Sequence, residues 1–164
     1  MEVQKGTAAL QEIADDLEKN TGRTFKLISS TSSAQGSYTQ SAFIYCPEVL
    51  TPASPTFEVS GGPQDRRLMV VFQSVETGER FFYSINHFKA KSGSGSGDDQ
   101  DKNDGQGSFN GTRVKEAQAV LSTYESKRGM LQEDDILIMG DLNAYSMEDP
   151  IQLLVNNGMT NLHK

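Results

Sequence analysis

A layered α/β sandwich with a largely antiparallel sheet is the fold that this 164-residue sequence predicts. Three observations predict it. An amphipathic helix opens the chain, two alternating apolar runs follow as a hairpin, and a second amphipathic helix leads into a short apolar strand. In the first helix, residues 7–20, Ala9, Leu10, Ile13, Ala14 and Leu17 form a stripe at helical spacing, and Gly22 stops it. Thr24–Ser29 alternates as a strand does, Ser29–Gln40 is a Ser/Thr/Gly loop, and Ser41–Tyr45 is a second strand ended by Pro47. Thr56–Ser60 is a candidate third strand before a Gly61-Gly62-Pro63 turn.

Leu68–Val75 and Arg80–Asn86 form the clearest pair, joined by Glu76-Thr77-Gly78-Glu79. Met69 and Val71 are apolar on the face opposite Leu68, Val70 and Phe72, so this strand is expected to be covered on both faces. Residues 92–111, SGSGSGDDQDKNDGQGSFNG, are polar and acidic and read as a flexible insertion loop. Val114, Ala117, Val120, Leu121 and Tyr124 mark the second amphipathic helix, and Ile136–Met139 reads as a fully buried strand. Pro150 fits the first turn of a short helix through Val155, closed by Gly158.

Composition excludes several functions. A net charge of −7 and a pI near 4.8 repel polyanions at long range, which argues against a sequence-reading nucleic-acid binder. Local cations (Arg66-Arg67, Lys89 with Lys91, Arg113 with Lys115) still allow a nuclease. Cys46 is the only cysteine, so the chain can build neither an internal disulfide nor a thiolate zinc site. No apolar run reaches membrane-spanning length, and no basic-then-apolar signal segment is visible.

The most informative stretch is Gly140-Asp141-Leu142-Asn143. If the strand continues, Asp141 and Asn143 face the same way, and a carboxylate beside an amide suits a site handling water or phosphate near a hard cation. The alternative is an Asp/Asn turn after a core strand. His87 sits where the second hairpin strand ends, beside Lys89 and Lys91, and suits a phosphoryl contact or an acid; a surface histidine is the alternative. His163, near the C-terminus, reads as incidental. Arg113 is placed to reach a phosphate or to clamp Asp141, or else to point into solvent at a helix start. Asp99, Asp101 and Asn103 have the alternate spacing of a calcium loop, but Gly105 is one place late and Asn110 stands where a Glu is needed, so a solvated loop is the better reading.

Three segments, NHFKAK at 86–91, DGQGSFNGTRVKEAQAVL at 104–121 and GDLNAYSMEDP at 140–150, agree in order and spacing with one family. The chain resembles the endonuclease/exonuclease/phosphatase superfamily, with its deoxyribonuclease I-like four-layer α/β/β/α sandwich, most of all its branch of bacterial secreted nucleases. The resemblance covers nearly the whole chain. It implies metal-dependent phosphodiester hydrolysis of nucleic acid, DNA favoured, by a protein outside the cell or in its envelope.

Residue by residue, the resemblance implies that Glu2 ligates Mg²⁺ or Mn²⁺, with Ca²⁺ a further candidate, and that Asp141 shares the metal and orients the attacking water. It implies that Asn143 positions water or phosphate and that His87 donates to a non-bridging oxygen. Lys89, Asn110 and Arg113 are weaker candidates for phosphate contact.

The departures are specific. The family's first strand, its C-terminal half-sheet and its closing Asp-His pair are not in this sequence, and Ser108 stands near where the branch has Cys. Residues 1–164 therefore read as one incomplete domain, with impaired activity expected and self-association through an open sheet edge implied. A non-catalytic remnant of the fold and a phosphatase acting on a lipid or small phosphate are the alternative functions.

Overall fold

The computed structural model describes residues 2–3, 7–29, 40–61 and 67–162; for Glu2, Val3, Thr7 and Gln40 only the backbone is described. The expected loop at 30–39, Gly62-Pro63 of the expected turn, Arg66 and His163 lie outside the described residues. In chain order the elements are β1 (Glu2–Val3), α1 (Thr7–Thr21), β2 (Lys26–Ser29), β3 (Gln40–Tyr45), β4 (Leu50–Pro52), β5 (Phe57–Glu58), β6 (Arg67–Ser74), β7 (Arg80–His87), α2 (Asn110–Leu131), β8 (Ile136–Asp141) and α3 (Asp149–Asn156).

The strands form two sheets. The smaller is antiparallel, ordered β1-β3-β2. The larger runs β4-β6-β7-β8, with β5 also pairing β6. Its strands are antiparallel except for β7 and β8, which run parallel because α2 carries the chain back across the sheet between them.

Alternation along β6 builds both faces of the larger sheet. Leu68, Val70 and Phe72 join Phe43 of β3 and Ile85 of β7 in the layer between the sheets. Met69 and Val71 point the other way, with Phe82 and Phe88, against Ala117, Val120, Leu121 and Tyr124 of α2 and Leu154 of α3. Leu10 of α1 packs on Ala42 beneath the smaller sheet. The result is a four-layer α/β/β/α sandwich, and β6 is covered on both faces as the sequence predicts.

Two expectations change. The apolar run at 136–139 is not fully buried: among the described residues β8 pairs with β7 alone, and Met139 is 46% exposed. A groove of about 1190 Å³ runs along this strand, lined by Ile136, Ile138, Leu142, Ile151, Leu154 and Leu162 among others. A run of four apolar residues suits an open edge facing a groove as well as a buried centre.

The second change is at 92–111. Ser96 precedes a short 3-10 turn at Gly97–Asp99, and Asp99 takes the place of a cap for α2. The residue before α2 is Phe109, whose side chain has no acceptor. Both Asp99 carboxylate oxygens instead bind Thr112, its N–H at 2.6 Å and its Oγ1 at 2.7 Å. Phe109 N–H donates to the Asp99 carbonyl at 2.8 Å. Gly95 is needed for this approach, because a Cβ there would lie 1.9 Å from the Asp99 carbonyl oxygen.

Candidate functional site

His87 and Asp141 end their strands side by side. They are register partners in the parallel β7–β8 pair, so their side chains leave the same face of the sheet. Along β7 that is the face of Phe81, Tyr83 and Ile85, which looks toward the smaller sheet, where β1 sets Glu2 opposite Ser41 of β3. The side chain of Glu2 is outside the described residues.

Gly140 makes the register possible. Its φ is +125°, and a Cβ would meet the Asn86 carbonyl oxygen at 1.9 Å. Asn86, buried beside it, ties the strands together by donating from Nδ2 to the Met139 carbonyl at 3.2 Å and to the Ser84 carbonyl at 3.0 Å.

The extended backbone does not continue to Asn143. That residue is left-handed, with φ of +47°, and its N–H donates to Asp141 Oδ1 at 2.9 Å. The Asp/Asn turn is thus the conformation adopted. Asn143 Nδ2 donates to the Phe88 carbonyl at 3.1 Å, while the Phe88 N–H donates to the Asp141 carbonyl at 2.9 Å. The turn after β8 and the exit of β7 are therefore laced together.

Arg113 departs from all three of its expected placements. It is fully buried, and its guanidinium donates to the carbonyls of Ser108 (2.8 Å), Gln106 (2.7 Å) and Lys89 (3.3 Å). Buried and committed to these three carbonyls through Nη1 and Nη2, it can neither reach a phosphate in solvent nor pair with Asp141. Burial lowers its pKa from the usual guanidinium value, opposed by the nearby Glu148, Glu116 and Asp99 carboxylates. Arg67 is likewise no surface cation: it is buried against Glu116, Nη1 to Oε1 3.2 Å, and burial again lowers its pKa.

Asn110 Nδ2 donates to Asp149 Oδ2 at 2.6 Å, at the start of α3. Lys89 holds its ammonium 4.3 Å from the centre of the Phe109 ring. The calcium-type spacing is not assembled: Asp99 is committed to Thr112, and Asp101 Oδ1 accepts the Asn103 N–H at 2.9 Å.

Residues that the sequence reading missed join its three motifs into one network. Lys91 forms an ion pair with the buried Glu148. Gln106 both donates to Asp149 Oδ1 (3.2 Å) and accepts the Asp149 N–H (3.0 Å). Glu116 Oε2 accepts the Lys89 N–H at 2.7 Å. The signal for Glu148 and Asp149 was present, since both lie inside GDLNAYSMEDP; nothing in the sequence distinguished Glu116 from a solvent-facing helix residue.

Among the described residues no group of three His, Cys, Asp or Glu side chains converges on a metal position. Asp141, exposed at the strand end, offers hard oxygen and is the described carboxylate that stands beside His87. That donor set fits Mg²⁺, which keeps most of its waters and is held by one or two carboxylates together with substrate oxygens.

No family model matches the sequence, and no curated protein matches it. Solved structures do match in fold. The human Nocturnin catalytic domain with bound sulfate has a TM-score of 0.63 at 12% identity, over 94% of this chain and 54% of that one. A mannosyl-6-phosphatase of Bacteroides thetaiotaomicron VPI-5482 has a TM-score of 0.59 at 16% identity, over 90% and 53%. An endonuclease/exonuclease/phosphatase from Bacteroides vulgatus has a TM-score of 0.57 at 16% identity, over 88% and 52%. The chain thus spans about half the length of these structures. Over these spans its fold is like that of these endonuclease/exonuclease/phosphatase and phosphatase structures.

Proposed function

We propose that this chain, built on the endonuclease/exonuclease/phosphatase fold, hydrolyses phosphodiester bonds of nucleic acid, DNA in preference to RNA, at the ends of β7 and β8. The observation that carries the reading is the His87–Asp141 register, which sets an imidazole beside a carboxylate on one face. Asp141 orients the attacking water and draws off its proton. His87 donates to a non-bridging oxygen as charge grows there in the transition state. Asn143 fixes the turn that carries Asp141, and Lys89 meets a phosphate of the strand. Glu2 and Asp141 would hold Mg²⁺ or Mn²⁺, which supplies Lewis acidity toward the phosphoryl oxygen and the leaving group. The same resemblance proposes an extracellular or envelope setting.

Nicking of supercoiled plasmid by the purified chain tests this. Nicking is expected with Mg²⁺, to be abolished by chelation, and to fall roughly a hundredfold or more in Asp141→Ala. A rate that neither chelation nor Asp141→Ala changes would leave the chain a non-catalytic member of the fold. The similarity to a mannosyl-6-phosphatase favours one second reading, a phosphomonoesterase. Release of phosphate from small monoesters without plasmid nicking is its signature.

The edge of β8 that is unpaired among the described residues supports a further element of the proposal, pairing with a second copy of the chain. Antiparallel pairing of two β8 strands would bring Asp134 and Asp135 of one copy near Asp141 of the other. Screening weakens such repulsion, the Debye length falling from about 10 Å at 0.1 M salt to about 3 Å at 1 M. Light scattering should therefore show dimer increasing with salt; a monomer at every salt concentration contradicts the pairing.

A further inference from the structure

All four backbone polar groups of Phe88 and Lys89, the two residues after His87, are held from elsewhere in the fold. Phe88 is gripped on the β8 side, its N–H by the Asp141 carbonyl at 2.9 Å and its carbonyl by Asn143 Nδ2 at 3.1 Å. Lys89 is gripped on the α2 side, its N–H by Glu116 Oε2 at 2.7 Å and its carbonyl by Arg113 Nη1 at 3.3 Å. Arg113 and Glu116 lie three residues apart on α2, hence on one face of the helix, and are 0% and 1% exposed.

Two buried charges are not what a helix needs in order to pack on a sheet. Apolar residues of similar volume would serve as well or better, because each buried ion loses its hydration. Here Glu116 is compensated by Arg67 at 3.2 Å and Arg113 by the Ser108 and Gln106 carbonyls, and both direct a further bond to the backbone of the same residue, Lys89. Lys91 is ion-paired with Glu148, whereas no ion pair holds Lys89 among the described residues. The ammonium of Lys89 rests on the Phe109 ring, 4.3 Å from its centre, a contact that it can give up for a phosphate oxygen.

We propose that Arg113 and Glu116 are positioning residues for Lys89: α2 holds both the N–H and the carbonyl of Lys89 and so sets where its ammonium meets a phosphate of the ligand. The proposal rests on the phosphodiester reading and deepens it. Neither residue touches substrate; both act through Lys89. Fixing the backbone removes part of the ordering that binding would otherwise require.

The test compares two double variants that both remove the buried ion pair. Arg67→Met/Glu116→Gln keeps an acceptor for the Lys89 N–H, and Arg67→Met/Glu116→Leu does not. Each is prepared with Lys89 and with Lys89→Ala, and cleavage of a short DNA oligonucleotide with Mg²⁺ is measured. With Lys89 present, Leu is expected to raise KM roughly tenfold over Gln, the size of effect typical when a supporting hydrogen bond is lost. In the Lys89→Ala background the two should agree within about twofold, because coupled residues lose their interaction once the partner is gone. Amide hydrogen exchange at Lys89 should quicken with Leu and not with Gln.

Should the Leu variant not fold, Arg113→Lys, which keeps the charge but cannot serve three carbonyls, carries the same comparison with the same expected pattern. A Leu–Gln difference of equal size in both backgrounds overturns the proposal, as does Lys89 exchange that is the same in all variants. In either case a wild-type chain that cleaves leaves the phosphodiester reading standing. A wild-type chain that neither binds nor cleaves DNA overturns that reading, and this proposal with it.

Discussion

Gly140 governs how closely the two site-bearing strands can run. With φ at +125° and the Asn86 carbonyl oxygen 1.9 Å from where a Cβ would sit, Gly140→Ala must push β8 off β7. We expect a loss of about 1–3 kcal/mol, seen as a Tm lower by roughly 2–12 °C for a chain of this size. An unchanged Tm would contradict the register that aligns His87 with Asp141. Asp99 makes a second residue-scale prediction. Hydrogen bonding from the Thr112 hydroxyl, then from its N–H, with Lys115 and Arg113 nearby, holds the carboxyl below the usual carboxylate range against some desolvation. The ionised form is the one that binds, so the contribution is complete above the ordinary Asp pKa of about 3.9 and disappears as pH falls through the depressed native value. Asp99→Ala should cost about 1 kcal/mol at pH 7, the value of a helix cap, and the gap from wild type in denaturant titrations should close below about pH 4. A gap that widens toward low pH would contradict the cap.

At the scale of elements, what the sequence revealed depended on how many physical signals coincided. The β6–β7 hairpin was legible because alternation, apolar content and a Gly-containing turn all agree, and it forms with Leu68 opposite Ile85 and Phe72 opposite Phe81. β4 was not, because three residues ending in Pro52 carry too little pattern; Pro is tolerated there because the strand lies at the sheet edge. The three motifs were legible as segments, but their joining was not. Side chains that cross between segments, such as Lys91 to Glu148 and Gln106 and Asn110 to Asp149, leave no local periodicity. For the same reason Arg113 looked like a helix-start cation, when its burial depends on three carbonyls supplied by the two ends of the connection between β7 and α2. The network predicts that Asp149→Ala, which removes the acceptor of Gln106 and Asn110, raises amide exchange and protease cleavage across 92–109 while helix content is kept. Exchange in that segment equal to wild type would contradict it.

At the scale of the whole molecule, the sandwich presents its candidate site near an edge. β7 lies inside the larger sheet, but β8, which carries Asp141, has one flank unpaired among the described residues and bordered by a groove with Tyr145 78% exposed. The net charge of −7 keeps polyanions away at long range, so the proposed nucleic-acid substrate would have to be met locally, by the proposed divalent cation and by Lys89. Everything proposed for the chemistry thus requires one cation position where the strand ends converge. Mn²⁺ titration of the ¹⁵N-labelled chain, followed by paramagnetic line broadening, measures this most directly. The account predicts that the amide signals of Glu2, His87, Asp141 and Asn143 broaden first and together, before those of Asp99–Asp104. Broadening that begins in the Asp99–Asp104 loop, or spreads evenly over the acidic surface, would contradict it.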